Sequence, residues 1–298
     1  MTDLDRLREY ALLLLLALLW GGSYPLIKLA LESFTPLTLI AFRVSVAAVL
    51  LWAIALAQGL RPPSGLGIWS ALLLQAVFNS IGAWTLLAWG QQHVDSGLAG
   101  VLNSTAPIFV FFLALALGLS TRFEPLKLAG ALTGLAGVAA LMGPEALSGL
   151  GTDLLAQAAI LAGAILYACA ALYGRRFSEL PPIVTAAGTM SWATLALTPA
   201  AFWIEAPLSL ALSASSVAAA TALATLSTAL ALLIYFRLIR TIGSLGTASQ
   251  AYLRSAIAVL LGAVFLGEPV TTGMLFGVGL VLVGMVLLNA TPARMRRK

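Results

Sequence analysis

Apolar residues fall in ten long runs, near 10–29, 36–57, 67–88, 96–118, 126–143, 153–173, 182–203, 215–236, 244–266 and 272–289. Each is close to the ~20 residues that a helix needs to cross a bilayer core. The runs are rich in Leu and Ala and lack period-two alternation, which argues for helices rather than strands. Short polar breaks separate them, such as Glu32 to Pro36, Arg61-Pro62-Pro63, Arg175-Arg176 and Glu268-Pro269. The pattern predicts an all-α integral membrane protein of ten transmembrane helices.

Composition agrees with that reading. The chain is 61% hydrophobic and 9% charged, with a mean hydropathy of +1.02. A soluble domain carries about 25% charged residues, so charge this scarce leaves most of the surface to face lipid. The net charge of +5 would suggest nucleic acid in a soluble protein. Here the basic residues lie in short gaps between runs, so no nucleic-acid partner is expected. The partners expected are membrane lipid and a small-molecule substrate; the sequence fixes no oligomeric state.

The basic residues also orient the chain. With the N-terminus inside, inner segments hold Arg6, Arg8, Arg61, Arg122, Lys127, Arg175, Arg176, Arg237, Arg240, Arg294, Arg296, Arg297 and Lys298, while outer segments hold Lys28. Such a bias places both termini in the cytoplasm. Residues 1–20 resemble a signal peptide, but no Ala-x-Ala-type site follows, and the stretch is read as the first span. Arg43 and Arg254 fall inside spans, whereas all eleven acids fall in loops.

The two halves resemble each other at a spacing near 147 residues. Gly130 and Gly137 align with Gly277 and Gly284, Val94-Asp95-Ser96 with Ile242-Gly243-Ser244, and Thr35-Pro36 with Pro181-Pro182. Each half carries five runs. Five is odd, so the second copy enters the membrane from the opposite side. The expected architecture is two inverted five-helix repeats, residues 1–145 and 146–298, around a central cavity. Inverted repeats are a recurring plan of secondary transporters.

The chain resembles the drug/metabolite transporter superfamily, in its EamA-like branch of duplicated five-helix units. The resemblance rests on Trp20-Gly21-Gly22-Ser23, Pro36 to Arg43, Ala106-Pro107-Ile108-Phe109, and Leu266-Gly267-Glu268-Pro269 with Gly277 and Gly284. The first half departs from it, with Ser120-Thr121-Arg122 where the second has Gly-Glu-Pro. The resemblance implies export of amino acids or related small metabolites, aromatic ones among them, across a bacterial inner membrane. Export of drugs or other metabolites is the alternative within the superfamily, and a channel the alternative outside it.

Candidate substrate-binding residues are the polar and aromatic side chains at membrane depth. Arg254 sits mid-run with Gln250 one turn earlier, and its guanidinium suits a substrate carboxylate. Arg43 reads more naturally as structural. Gln75 and Asn79 are four apart and predict one polar helix face, which either lines the cavity or bonds its amides to a neighbouring helix; Asn103, one turn before Pro107, is similar. Trp20, Tyr24 and Lys28 recur every four residues on the first helix, while Tyr167 and Tyr252 are deep aromatics. The glycine pairs Gly130/Gly134 and Gly273/Gly277 predict close helix approach.

Catalysis and cofactors are not expected. There is one cysteine, Cys169, read as a packing residue, and one histidine, His93, in a loop. No His-Glu-x-x-His or Walker sequence occurs. With no acid at membrane depth, the expected carrier is a facilitator or exchanger, with Asp95 and Glu268 as the nearest candidates for ion coupling.

Overall fold

The computed structural model describes residues 3–91, 93–94, 96–120, 123–143, 147, 150–257 and 272–289; at positions 24, 25 and 28, among others, the backbone alone is described. Among these residues there is helix and turn but no strand. The first run forms α1 (Asp3–Gly21) and α2 (Ser23–Ala30), and the second α3 (Pro36–Ala57). Next come α4 (Leu66–Ala76), a π turn (Val77–Ile81) and α5 (Gly82–Gln91). The fourth run is α6 (Ser96–Asn103) and α7 (Ala106–Ala116); the fifth is α8 (Pro125–Met142). The second half opens with α9 (Leu154–Tyr173) and α10 (Pro182–Ile204). It continues with α11 (Ala214–Ala224), a second π turn (Thr225–Leu230) and α12 (Ala231–Thr241). α13 (Gly243–Ala248), α14 (described over 250–257) and α15 (Thr272–Asn289) complete it.

Among the described residues seven helical stretches are long and apolar enough to cross a membrane: Pro36–Ala57, Leu66–Gly90, Leu98–Ala116, Pro125–Met142, Leu154–Phe177, Ala214–Thr241 and Thr272–Asn289. The other three predicted runs differ for visible reasons. The first is divided at Gly22. The seventh, α10, is long enough but rich in Thr and Ser. The ninth runs into residues outside those described.

The interruptions have local causes. Pro107 has no N–H to donate to the Asn103 carbonyl, and α6 ends there, with the Thr105 hydroxyl donating to Leu102 O at 2.6 Å. Ser23 donates to Trp20 O at 2.7 Å beside the Gly22 turn. Ser249 donates to Gly246 O at 2.6 Å between α13 and α14. In the first π turn the Gly82 N–H reaches back five residues to Val77 O. A Cβ at Gly82 would lie 2.7 Å from that oxygen, so the wide turn needs glycine. In the second π turn the Thr228 hydroxyl donates to Leu223 O, also five back. The two π turns begin at 77 and 225, close to the repeat spacing.

Two helix pairs tie the halves together. α3 and α10 run antiparallel: Ser45 meets Thr198 at 3.1 Å and the Trp52 indole donates to Ser191 at 2.9 Å. α8 and α15 also run antiparallel and meet backbone to backbone. A Cβ at Gly130 would lie 2.9 Å from Gly284 O, and one at Gly277 would lie 2.9 Å from Gly137 O. These two contacts are equivalent under the repeat, since Gly130 aligns with Gly277 and Gly137 with Gly284. The expected pair Gly273/Gly277 is therefore corrected. Gly277 works with Gly284, two turns on, while Gly273, at the first turn of α15, is exposed.

Inter-repeat polar contacts close both ends. At one end Arg237 donates to Glu9 at 2.6 Å and Thr241 donates to the same carboxylate at 2.9 Å. At the other, the Glu205 carboxylate sits on the N-terminus of α3. It accepts from the Leu37 N–H at 3.0 Å, the Thr38 N–H at 2.7 Å, and the Thr35 and Thr38 hydroxyls. A carboxylate there meets unpaired backbone donors and the positive end of the helix dipole. Burial pushes the Glu205 carboxyl up, but these hydrogen bonds together hold it below its ordinary value.

Candidate functional site

Between the halves lies a cavity of about 460 Å3, walled by α1, α2, α3, the first π turn, α5, α6, α7, α9, α12, α13 and α14. Its lining includes Leu31 and Pro36 toward the Glu205 end and Val110, Ala171 and Ala248 toward the Glu9 end. A second, larger hollow of about 1130 Å3 opens at the Glu9 end, where Arg6, Lys127 and Arg175 line it. Val110 lines both. The septum is the apolar cluster of Val110, Ala168, Ala171, Leu172 and Ala248, packed by Leu113 and Leu245.

Six of the nine sequence-predicted residues meet at the central cavity: Trp20, Asn79, Asn103, Tyr167, Gln250 and Arg254. Arg254 and Gln250 lie one turn apart on α14, as their spacing predicts. Among the described residues no hydrogen bond or ion pair reaches the Arg254 guanidinium, and its Nε is buried without a partner. The Asn103 Oδ1 and Gln250 Oε1 atoms are also buried and unpartnered. All three atoms belong to side chains that border the cavity, where their hydrogen-bonding capacity is unmet by the described residues.

Gln75 and Tyr252 are not in this wall. Gln75 is fully buried, and its amide donates to Ala170 O on α9 at 3.2 Å. The π turn that begins at Val77 inserts an extra residue and breaks the i, i+4 stripe, so Gln75 turns to α9 while Asn79 turns to the cavity. Tyr252 lies two residues from both Gln250 and Arg254, hence on the opposite side of α14. Its ring fills the space over Gly134 and its hydroxyl donates to Ala131 O at 2.8 Å. The side chain of Tyr24 lies outside the described residues, as do Asp95 and Glu268.

Several lining residues escaped sequence reasoning. Trp84 and Tyr235 carry no signal that separates them from ordinary apolar positions. Arg43 is structural, as expected, but also lines the cavity. Its Nε donates to the Thr228 hydroxyl, its Nη2 donates to Ser227 O at 3.3 Å, and its guanidinium lies 4.6 Å from the Trp84 ring centre. The Trp20 indole donates to the same Ser227 carbonyl at 3.0 Å, and its ring stands 5.7 Å from Tyr235. The second π turn thus supplies the carbonyl that fixes both side chains.

The arrangement holds no cluster of metal-binding side chains among the described residues. It can bind a solute with an acidic group at Arg254 and an apolar body against Trp20 and Tyr235.

Comparison with known proteins gives concordant results. The chain matches the EamA-like transporter family twice, over residues 7–143 and 154–290. The second match is offset from the first by 147 residues at both ends, 154 against 7 and 290 against 143. It is 29% identical over 280 residues to "Uncharacterized inner membrane transporter YedA" of Escherichia coli, covering 94% of this chain and 90% of that one. It is 28% identical over 289 residues to "Probable terminal-alkyne amino-acid exporter" of Streptantibioticus cattleyicolor, covering 96% and 95%. A crystal structure 20% identical in sequence superposes with a TM-score of 0.80, covering 94% of this chain and 98% of the other.

Proposed function

The chain belongs to the EamA-like transporter family, and from that premise we propose that it exports amino acids or related small metabolites by alternating access. Members of this family are transporters, not enzymes. In this reading ten helices form two inverted five-helix repeats, 1–145 and 146–298. Both termini face the cytoplasm of a bacterial inner membrane. The antiparallel pairs α3·α10 and α8·α15 support the inversion, since they join equivalent helices of the two halves. The cluster of Arg6, Lys127 and Arg175 at the Glu9 end supports the orientation.

The observation that carries the reading is Arg254, a guanidinium without a partner among the described residues, in a cavity between the repeats. Intramembrane charge is costly and is kept where a pathway needs it. The Val110 septum separates the cavity from the vestibule, as a carrier requires and an open channel does not. No acidic residue lines the cavity among those described, which supports a facilitator or exchanger rather than a proton-coupled pump. The relative named as an amino-acid exporter supports the substrate class.

The test is uptake of labelled amino acids into vesicles containing only this protein. Saturable uptake that is lost in Arg254→Ala and only partly restored in Arg254→Lys is expected, because lysine keeps the charge but not the planar fork. Full activity in correctly inserted Arg254→Ala would end the proposal.

A further inference from the structure

The lining of the central cavity is electrically lopsided. It holds two guanidiniums, Arg43 and Arg254, and among the described lining residues no acid. Arg43 meets no acid among the described residues: its neighbours are the Thr228 hydroxyl, the Ser227 carbonyl, the face of Trp84 and the Tyr167 phenol. Its Nη1 makes no hydrogen bond to any described residue. Arginine does not give up its proton in a protein, so both charges persist through the cycle. Two like charges facing one low-dielectric space are expensive unless a counter-charge joins them.

Resting on the carrier reading above, we propose that this cavity selects a net-anionic organic solute, a carboxylate without a free ammonium, over a zwitterion. An N-acylated amino acid, a 2-oxo acid or a dicarboxylate fits this class. A zwitterion brings one charge that Arg43 and Arg254 attract and one that they repel. Its ammonium meets no carboxylate on the described wall. Asn79, Asn103 and Gln250 are neutral amides, and the Asn103 and Gln250 oxygens are buried. The face of Trp84, a natural seat for an ammonium, is already covered by Arg43. Trp20 and Tyr235 offer an apolar wall to the rest of the solute.

The test compares four probes of one skeleton in counterflow into proteoliposomes: L-phenylalanine, N-acetyl-L-phenylalanine, phenylpyruvate and phenylalanine methyl ester. The two anions are expected to exchange about tenfold or more faster than phenylalanine, the scale of one charge-assisted hydrogen bond. The cationic ester is expected to be excluded. Arg43→Gln and Arg254→Gln should each shrink the preference for anion over zwitterion. Arg43→Lys, which keeps charge but loses the fork, should retain it. Protein content of the vesicles separates a misfolded variant from a selective one, and Arg43→Lys keeps the test open if Arg43→Gln does not insert. Phenylalanine exchanging faster than its N-acetyl derivative would overturn this proposal and leave the carrier reading standing. Exchange of none of the four would overturn both.

Discussion

The flanks and the centre of this protein treat the same internal repeat in opposite ways. At the flanks, equivalent residues meet each other: Gly130 with Gly284 and Gly137 with Gly277 are one contact made twice. At the centre, equivalent positions keep their character in some places and lose it in others. Trp20 corresponds to Tyr167 and Asn103 to Gln250, each at a spacing of 147. Arg43, however, corresponds to Thr189, and Arg254 to Pro107. A carrier needs two arrangements of similar energy, and contacts that map onto themselves supply that. A binding site needs a direction, and unmatched charges supply that. In the proposed carrier, symmetry belongs to the motion and asymmetry to the solute.

The largest effect should come from removing the asymmetry. Arg254→Ala is expected to cost about 2–5 kcal/mol of solute binding, typical for truncating one partner of a desolvated charge pair. That is roughly thirtyfold or more in transport at low solute concentration. Asn103→Ala should cost less, and the two defects should not simply add if both touch one solute. Solute affinity measured through the fluorescence of Trp20 and Trp84 would check both.

The next effect strikes the flank. Gly137→Leu places a side chain where a Cβ already meets Gly277 O at 2.9 Å. Overpacking of this kind costs about 1–3 kcal/mol, seen as a lower unfolding temperature in detergent. Gly284→Leu should do the same, because the interface is one contact repeated. Gly273→Leu should leave the unfolding temperature unchanged, since that position is exposed.

An effect of comparable size should appear at Glu205. Its carboxyl is held below its ordinary value, so the folded state prefers it ionised. That stabilisation is present above the ordinary carboxylate range, near pH ~4, and fades as pH falls through the folded value. Glu205→Gln should cost about 1.5–3 kcal/mol near neutrality. It should also flatten the acid side of the stability profile. An unchanged acid limb would mean that the contact with α3 contributes little.

The smallest effect separates packing from binding on α14. Tyr252→Phe loses one buried hydrogen bond, about 1 kcal/mol of stability, and should leave transport unchanged because Tyr252 faces Gly134. Altered solute selectivity in this variant would place the tyrosine in the binding path after all.

The spans were legible in the sequence because a bilayer forbids ambiguity: a helix of bounded length must satisfy its own backbone and carry little charge. α3, α8, α9, α10 and α15 fall within a residue or so of the runs that predicted them. The breaks in α1–α2 and α6–α7 fall at Gly22 and beside Pro107, residue types that disfavour a continuous helix. The π turns were not legible, because nothing in Val77–Ile81 or Thr225–Leu230 distinguishes a five-residue reach from a four-residue one except Gly82. That is why the two readings of the Gln75–Asn79 stripe divide between its members: across the inserted residue Gln75 bonds the neighbouring helix while Asn79 borders the cavity. Tyr252 was misplaced because depth alone nominated it, although its two-residue offset from Gln250 and Arg254 already turned it away. Arg43 was read for its structural bonds, and only the structure adds that the same guanidinium borders the cavity.

The central claim is that one cavity serves both sides in turn. Trans-stimulation measures this directly. Vesicles containing the purified protein are loaded with unlabelled solute, and the initial uptake of labelled solute is compared with that of empty vesicles. A carrier that alternates returns faster when loaded, so accelerated, saturable uptake is expected, with acceleration abolished in Arg254→Ala. Uptake that is indifferent to internal solute and rises linearly with external concentration would contradict alternating access and point to a pore.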